Sequence, residues 1–331
     1  MKMTYFEHID VKIEKSKVPI IYLDSNIMIL LSRYEKGTCK DTNVEKLGEL
    51  YVFLKISMEK KKILCPLGNQ LKEVGMSEGR KEGRNFLFGF TNAELLSPEM
   101  VENEEMHLGY NAFKNNTPYF EFDDNFIFEE DINQEQGIKI CVAPIIKKDK
   151  LGKLSKIKSD ITCLLNEMKN NGKIEKDFNS QLNVELSADY QLLADAIYGD
   201  INSEEKFAEF LEMMTKVNSI AGGWEAKTDE EKLKALDDYK RFLLSDFHHC
   251  LPYKWIESNL WVHRMQRQGN IYKGDVLDTV WAAAYLPFVD YAVTDKAFCK
   301  LLNSSGLAEQ YKTKVYSMET LGQLIEELKN I

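Results

Sequence analysis

Between Gly274 and Phe298 the chain reads GDVLDTVWAAAYLPFVDYAVTDKAF, and this stretch narrows the possible folds more than any other. Leu277, Val280, Trp281 and Ala284 recur at helical spacing, so Asp275 and Asp278, three residues apart, project from one side of that helix. Leu286 and Pro287 end the helix. Val289 to Thr294 then reads as a short buried strand, with Asp295 at its carboxyl end. The other end of the chain repeats the arrangement: Pro19 to Leu23 is an apolar strand ending at Asp24, and Ser25, Asn26 and a helical run follow. Helices alternating with short buried strands predict an α/β protein. In open sheets of this class, ligands bind outside the carboxyl ends of the strands, where all four aspartates are placed.

In chain order, Val44 to Met58 has Leu47, Leu50, Tyr51 and Leu54 on one helical face, and Lys62 to Cys65 is a strand closed by Pro66. Leu67 to Val74 reads as one or two helical turns that end at Gly75 and carry Glu73. From there to about Asp246 the pattern changes. An acidic run from Glu99 to Glu135 precedes a lysine-rich one from Lys139 to Lys158, and four helical segments follow. Residues 18–75 and 250–330 are therefore expected to form one sheet-containing core, interrupted by a mainly helical insertion at 76–249. Trp255 to Arg267 is a helix whose polar side displays Lys254, His263, Arg264 and Arg267. Beyond Asp295 come a helix, a strand at Lys314 to Tyr316, and a closing helix at Met318 to Leu328.

Composition excludes some functions. A formal net charge of −10 is incompatible with a uniformly basic surface that grips nucleic acid nonspecifically, although it permits a local basic groove. The six cysteines lack the paired spacings of a zinc site or a disulfide framework. His248, His249 and Cys250 are adjacent and point in different directions on a helix, which favours a surface or helix-end role over metal binding. No apolar run approaches a membrane span or a signal peptide, so a cytoplasmic protein with no membrane partner is expected.

The aspartates carry the chemistry. Two unit charges about 4 Å apart repel by roughly 4 kcal/mol at an effective dielectric near 20, so a cluster of carboxylates needs protons or a cation. Mg²⁺ and Mn²⁺ prefer all-oxygen ligands, which suits Asp and Glu without His or Cys. Such ions position an attacking water and stabilise the entering and leaving oxygens of a phosphodiester.

LDSN at Leu23 to Asn26, Glu73 after the second strand, DTVWAAA at Asp278 to Ala284 and VTDKAF at Val293 to Phe298 resemble the motifs of the PIN-domain nucleases. The resemblance spans roughly residues 18–75 and 250–330 and does not reach the insertion. It implies a parallel sheet sandwiched by helices, dependence on Mg²⁺ or Mn²⁺, and cleavage of single-stranded RNA to leave a 5′-phosphate and a 3′-hydroxyl. Asp24, Glu73, Asp278 and Asp295 would be the metal-binding acids, and Asp275 an additional ligand one turn earlier. Asn26 and Thr294 would support the ligands or the scissile phosphate. Arg264, Arg267 and Lys273 would guide the strand towards the acids.

Each acid also has a plainer role: Asp24, Asp275 and Asp295 sit where helix N-caps fall, and Asp278 lies at a favourable dipole position. Two other functions fit parts of the pattern. A haloacid-dehalogenase-type phosphatase also opens with a strand ending in Asp, but places a second Asp where this chain has Asn26. A PIN-like module without catalysis would serve as a binding or assembly subunit, engaging a protein partner or a second copy through the insertion.

Overall fold

The computed structural model describes residues 2–3, 8–70, 80–130, 148–171, 174–199, 203–223, 226 and 228–330. The chain is an α/β protein that divides into two compact units. One comprises Ile13–Pro98, Phe122–Leu165 and Tyr272–Ile331; the other comprises Met1–Lys12, Glu99–Glu121 and Asn166–Ile271.

In the first unit, Ile21–Leu23 pairs in parallel with Tyr291–Thr294, which pairs in parallel with Lys314–Ser317. On the other side of Ile21–Leu23, Ile20 bridges Leu64 in parallel, and Pro66–Leu67 pairs in parallel with Ala93–Glu94. Counted along the chain, the five segments lie in the spatial order third, second, first, fourth, fifth. They form a three-stranded and a two-stranded parallel sheet joined through the Ile20–Leu64 bridge, and the order reverses between Ile21–Leu23 and Tyr291–Thr294. Parallel neighbours need crossover connections. Helices Ser25–Glu35 and Val44–Glu59 make the first crossover, Arg80–Phe90 the second, and Lys296–Ser304 with Leu307–Gln310 the last.

Alternation along each strand sorts side chains between the two faces. Ile21, Leu23 and Val293 enter a core built with Ile27, Leu31, Leu47, Leu50, Leu54, Leu324 and Leu328. Tyr22, between Ile21 and Leu23, takes the opposite face and stacks on Trp281 with ring centroids 4.8 Å apart, and its ring lies 5.4 Å from that of Tyr285. Trp281 and Tyr285 belong to helix Lys273–Tyr285, which precedes the fourth strand and has no exposed surface at either position. The edge beyond Ala93–Glu94 is covered by the chain around Ile127, where Leu96 N donates to Ile127 O at 2.8 Å and Leu95 bridges Phe128 in antiparallel sense.

The second unit is mainly helical. It holds most of Pro98–Lys114, together with Phe178–Leu186, Ala188–Tyr198, Glu204–Ile220, Asp229–Leu243, Asp246–His249 and Pro252–Gln266. Thr228 and Glu231 form a reciprocal capping box at the start of Asp229–Leu243. Tyr110 and Phe113 pack on Phe242 at 5.5 and 5.8 Å between centroids.

The boundaries depart from those read in the sequence. The sheet unit reaches Pro98, because Ala93–Glu94 supplies a third strand too short to show any periodicity. Helix Pro252–Gln266, expected with the core, falls in the helical unit. The acidic run near residue 100 forms helix Pro98–Lys114 and includes Glu105, which is fully buried, and His248 is fully buried as well. Among the described residues, no helix is long and apolar enough to cross a membrane.

Candidate metal centre

Asp24, Asp278 and Asp295 each contribute a carboxylate oxygen to a group lying within 4.8 Å of one another. They come from three elements that meet at the carboxyl edge of the sheet, at the point where the strand order reverses.

Asp24 follows directly on the first strand and caps helix Ser25–Glu35. It is 2% exposed. Its backbone N–H donates to Val293 O at 2.9 Å, extending the parallel ladder by one bond. Its side chain is held twice: Oδ1 accepts from Ser25 N at 2.6 Å, and Oδ2 accepts from the hydroxyl of Thr294 at 3.1 Å. Thr294 has no exposed surface and ends the fourth strand, and Asp295 follows it as the cap of helix Lys296–Ser304. Asp295 Oδ1 takes the amides of Ala297 and Phe298 at 2.8 and 3.1 Å, so the cap engages one carboxylate oxygen. Asp278 stands one and a half turns into helix Lys273–Tyr285 and is half-buried. Two helix N-termini, at Ser25 and Lys296, therefore adjoin the group; their partial positive charge offsets some of its repulsion.

The structure sorts the expected site residues. Asp275 lies outside the group: its Oδ2 accepts from Tyr272 N at 2.8 Å in the capping box of its own helix. Glu73 lies outside the described residues. Asn26 is exposed in the first turn of the Ser25 helix, and Lys273 is exposed at the start of the Asp278 helix. Arg264 does not fit the expected strand-guiding role. It is fully buried, 5.8 Å from the ring centroid of Trp261, and a guanidinium without solvent contact cannot track a phosphate backbone. Arg267 is half-buried in the same unit and donates from Nη2 to Asn270 O at 3.1 Å.

Two buried polar side chains at this edge escaped the sequence reading. Gln70 is completely buried and donates from Nε2 to Leu23 O at 2.8 Å. Ser25 is 4% exposed, and among the described residues its hydroxyl has no hydrogen-bond partner. The available signal was Gly68-Asn69-Gln70, polar residues set directly after an apolar strand end.

The donors fit a hard divalent cation. All are carboxylate oxygens, they lie close enough to repel strongly, and the most buried is locked in place by a threonine hydroxyl. The fold and site thus define an α/β protein with an acidic group at its topological switch point. No family model matches the chain, and comparisons with curated proteins and with solved structures find no match either.

Proposed function

We propose that this chain is a Mg²⁺- or Mn²⁺-dependent endoribonuclease that hydrolyses phosphodiester bonds of single-stranded RNA in the cytoplasm. The observation that carries this reading is the convergence of Asp24, Asp278 and Asp295 within 4.8 Å where the strand order reverses. These three residues would hold the cation. When bound, it supplies an activated water and neutralises charge on the phosphoryl oxygens. Thr294 fixes the Asp24 carboxylate, the two helix N-termini would favour a phosphate beside the acids, and Asn26 and Lys273, both exposed, would meet the substrate. The resemblance to PIN-domain nucleases at the same residues gives RNA preference over DNA. The stretch at 76–249 would engage a protein partner or a second copy.

The test is cleavage of a labelled single-stranded RNA with Mn²⁺, comparing wild type with Asp24→Asn. Asparagine caps a helix as well as aspartate, so the variant should fold while losing at least a hundredfold in rate, and wild-type products should carry 5′-phosphates. Equal rates in the two proteins would remove the reading.

A further inference from the structure

The first and second strands of the sheet part soon after they meet. Leu64 N donates to Pro19 O at 2.9 Å, and Leu64 O accepts from Ile21 N at 2.8 Å. Continued in parallel register, this ladder would next take the N–H of residue 66 to the carbonyl of Ile21, and then the N–H of residue 68 to the carbonyl of Leu23. Pro66 has no N–H, so the first of these bonds cannot form. At the second, a side chain intervenes. Gly68 N donates to Gln70 Oε1 at 2.6 Å, and Gln70 Nε2 donates to Leu23 O at 2.8 Å. The primary amide is inserted between the two backbone groups that the ladder would have joined directly. Its orientation is unique, because a backbone N–H only donates and a carbonyl only accepts.

The packing around this insertion is close. Gln70 has no exposed surface. A Cβ on Gly68 would lie 3.1 Å from the ring of Tyr285 and 3.2 Å from Leu95, so glycine lets the loop pass beneath the helix that carries Asp278. The peptide that Gln70 grips is the one between Leu23 and Asp24. Its oxygen is bound by Gln70 and its nitrogen by Val293 O at 2.9 Å, one contact from each neighbouring strand segment.

We infer that Gln70 is a positioning residue for Asp24: by clamping the Leu23–Asp24 peptide from the side opposite Val293, its amide sets where the Asp24 carboxylate stands relative to Asp278 and Asp295. The inference rests on the metal-dependent reading above. Gln70 touches neither substrate nor cation and acts through the backbone.

The test compares wild type, Gln70→Met, Gln70→Glu and Asp24→Asn in Mn²⁺ titration calorimetry, hydrogen exchange of the Asp24 amide without metal, and steady-state kinetics. Gln70→Met keeps the volume and removes the amide. It should speed exchange at Asp24 at least tenfold, weaken Mn²⁺ binding by about 10- to 100-fold, and lower kcat with KM little changed. A buried carboxyl stays neutral at mildly acidic pH and can then bridge the same two groups. Gln70→Glu should therefore bind Mn²⁺ close to wild type near pH 6 and progressively worse than wild type towards pH 8. Mn²⁺ affinity in Gln70→Met within twofold of wild type would overturn the inference. If that variant does not fold, the pH series decides, and a constant ratio of Gln70→Glu to wild-type affinity overturns it. If wild type binds Mn²⁺ no better than Asp24→Asn, the metal-dependent reading itself fails and the positioning role falls with it.

Discussion

Asp24 does work that other aspartates in this chain divide among themselves. It extends the ladder through its backbone, caps a helix, and places a nearly buried carboxylate beside two others. Asp275 shows the contrast: also an aspartate and one turn from Asp278, it is bound to the Tyr272 amide. What separates the two is the bonding available within hydrogen-bond reach, since N3 of a helix has a free backbone donor behind it and a position deeper in the helix does not. The mutual repulsion of the three grouped acids leads to a prediction. Asp278→Asn should be more stable than wild type in EDTA, by about 1 kcal/mol, because it removes a repulsive charge. Mn²⁺ should raise the melting temperature of wild type by mass action and that of the variant much less. Thermal melts of both proteins with EDTA and with Mn²⁺ read both effects, and a variant less stable than wild type in EDTA would mean that Asp278 is held by attraction rather than strained by repulsion.

At the scale of elements, helix Lys273–Tyr285 joins the core to the site. One side buries Trp281, Ala282 and Tyr285, and Asp278 stands among its partly exposed residues. Trp281 anchors it, stacked on Tyr22 and edge-on to Phe298 at 5.4 Å. Removing that ring should cost about 3–5 kcal/mol, the usual range for truncating a buried aromatic. Denaturant unfolding of Trp281→Ala should therefore show a much lower midpoint with an unchanged slope, and Mn²⁺ binding should weaken with it because Asp278 sits on the destabilised helix. A midpoint close to wild type would show that the helix is anchored elsewhere. This helix was legible from its helical period, and the strand after it as a short apolar run ending at Asp295. The strand at Ala93–Glu94 was not, because two residues carry no period and their place in the sheet is set by the partner at Pro66–Leu67.

At the scale of the whole molecule, the helical unit confines several charges. Burial pushes the Glu105 carboxyl well above the ordinary range, although its Oε2 accepts the Tyr253 amide at 2.8 Å. Asp189 lies 3.0 Å from Lys254 Nζ and 3.2 Å from His248 Nε2; burial acts to raise it, but the lysine charge and the nearby histidine hold it low. Glu257 is pushed up to about 7 by burial, with Lys254 opposing and Asp189, Glu102 and Glu185 adding to the rise. The linkage has a definite sign. A carboxyl that titrates near 7 when folded and near 4.5 when unfolded stabilises the fold fully below about pH 4.5, and that contribution is lost as pH rises through 7. Its side chain keeps 28% of its exposure, so solvent softens the effect. Melting temperature should accordingly fall from about pH 5 to about pH 7.5 more steeply in wild type than in Glu257→Gln, which cannot ionise. Parallel slopes in the two proteins would assign the titration elsewhere.

The amino-acid sequence by itself determined the local alphabet of this protein. Two apolar runs too short for helices, each closed by an aspartate and followed by a helical period, mark strands with acids at their carboxyl ends, and that reasoning reached Asp24 and Asp295, while helical spacing reached Asp278. Periodicity reports only which way a residue faces relative to its own element. Which elements meet is decided by pairing between segments some 270 residues apart, such as Leu23 with Val293. Tertiary structure therefore decided the reversal of strand order beside Asp24, the burial of Arg264 and the insertion of the Gln70 amide into the ladder. Each depends on a backbone or side-chain group brought close by a distant part of the chain, and no spacing within one segment records it.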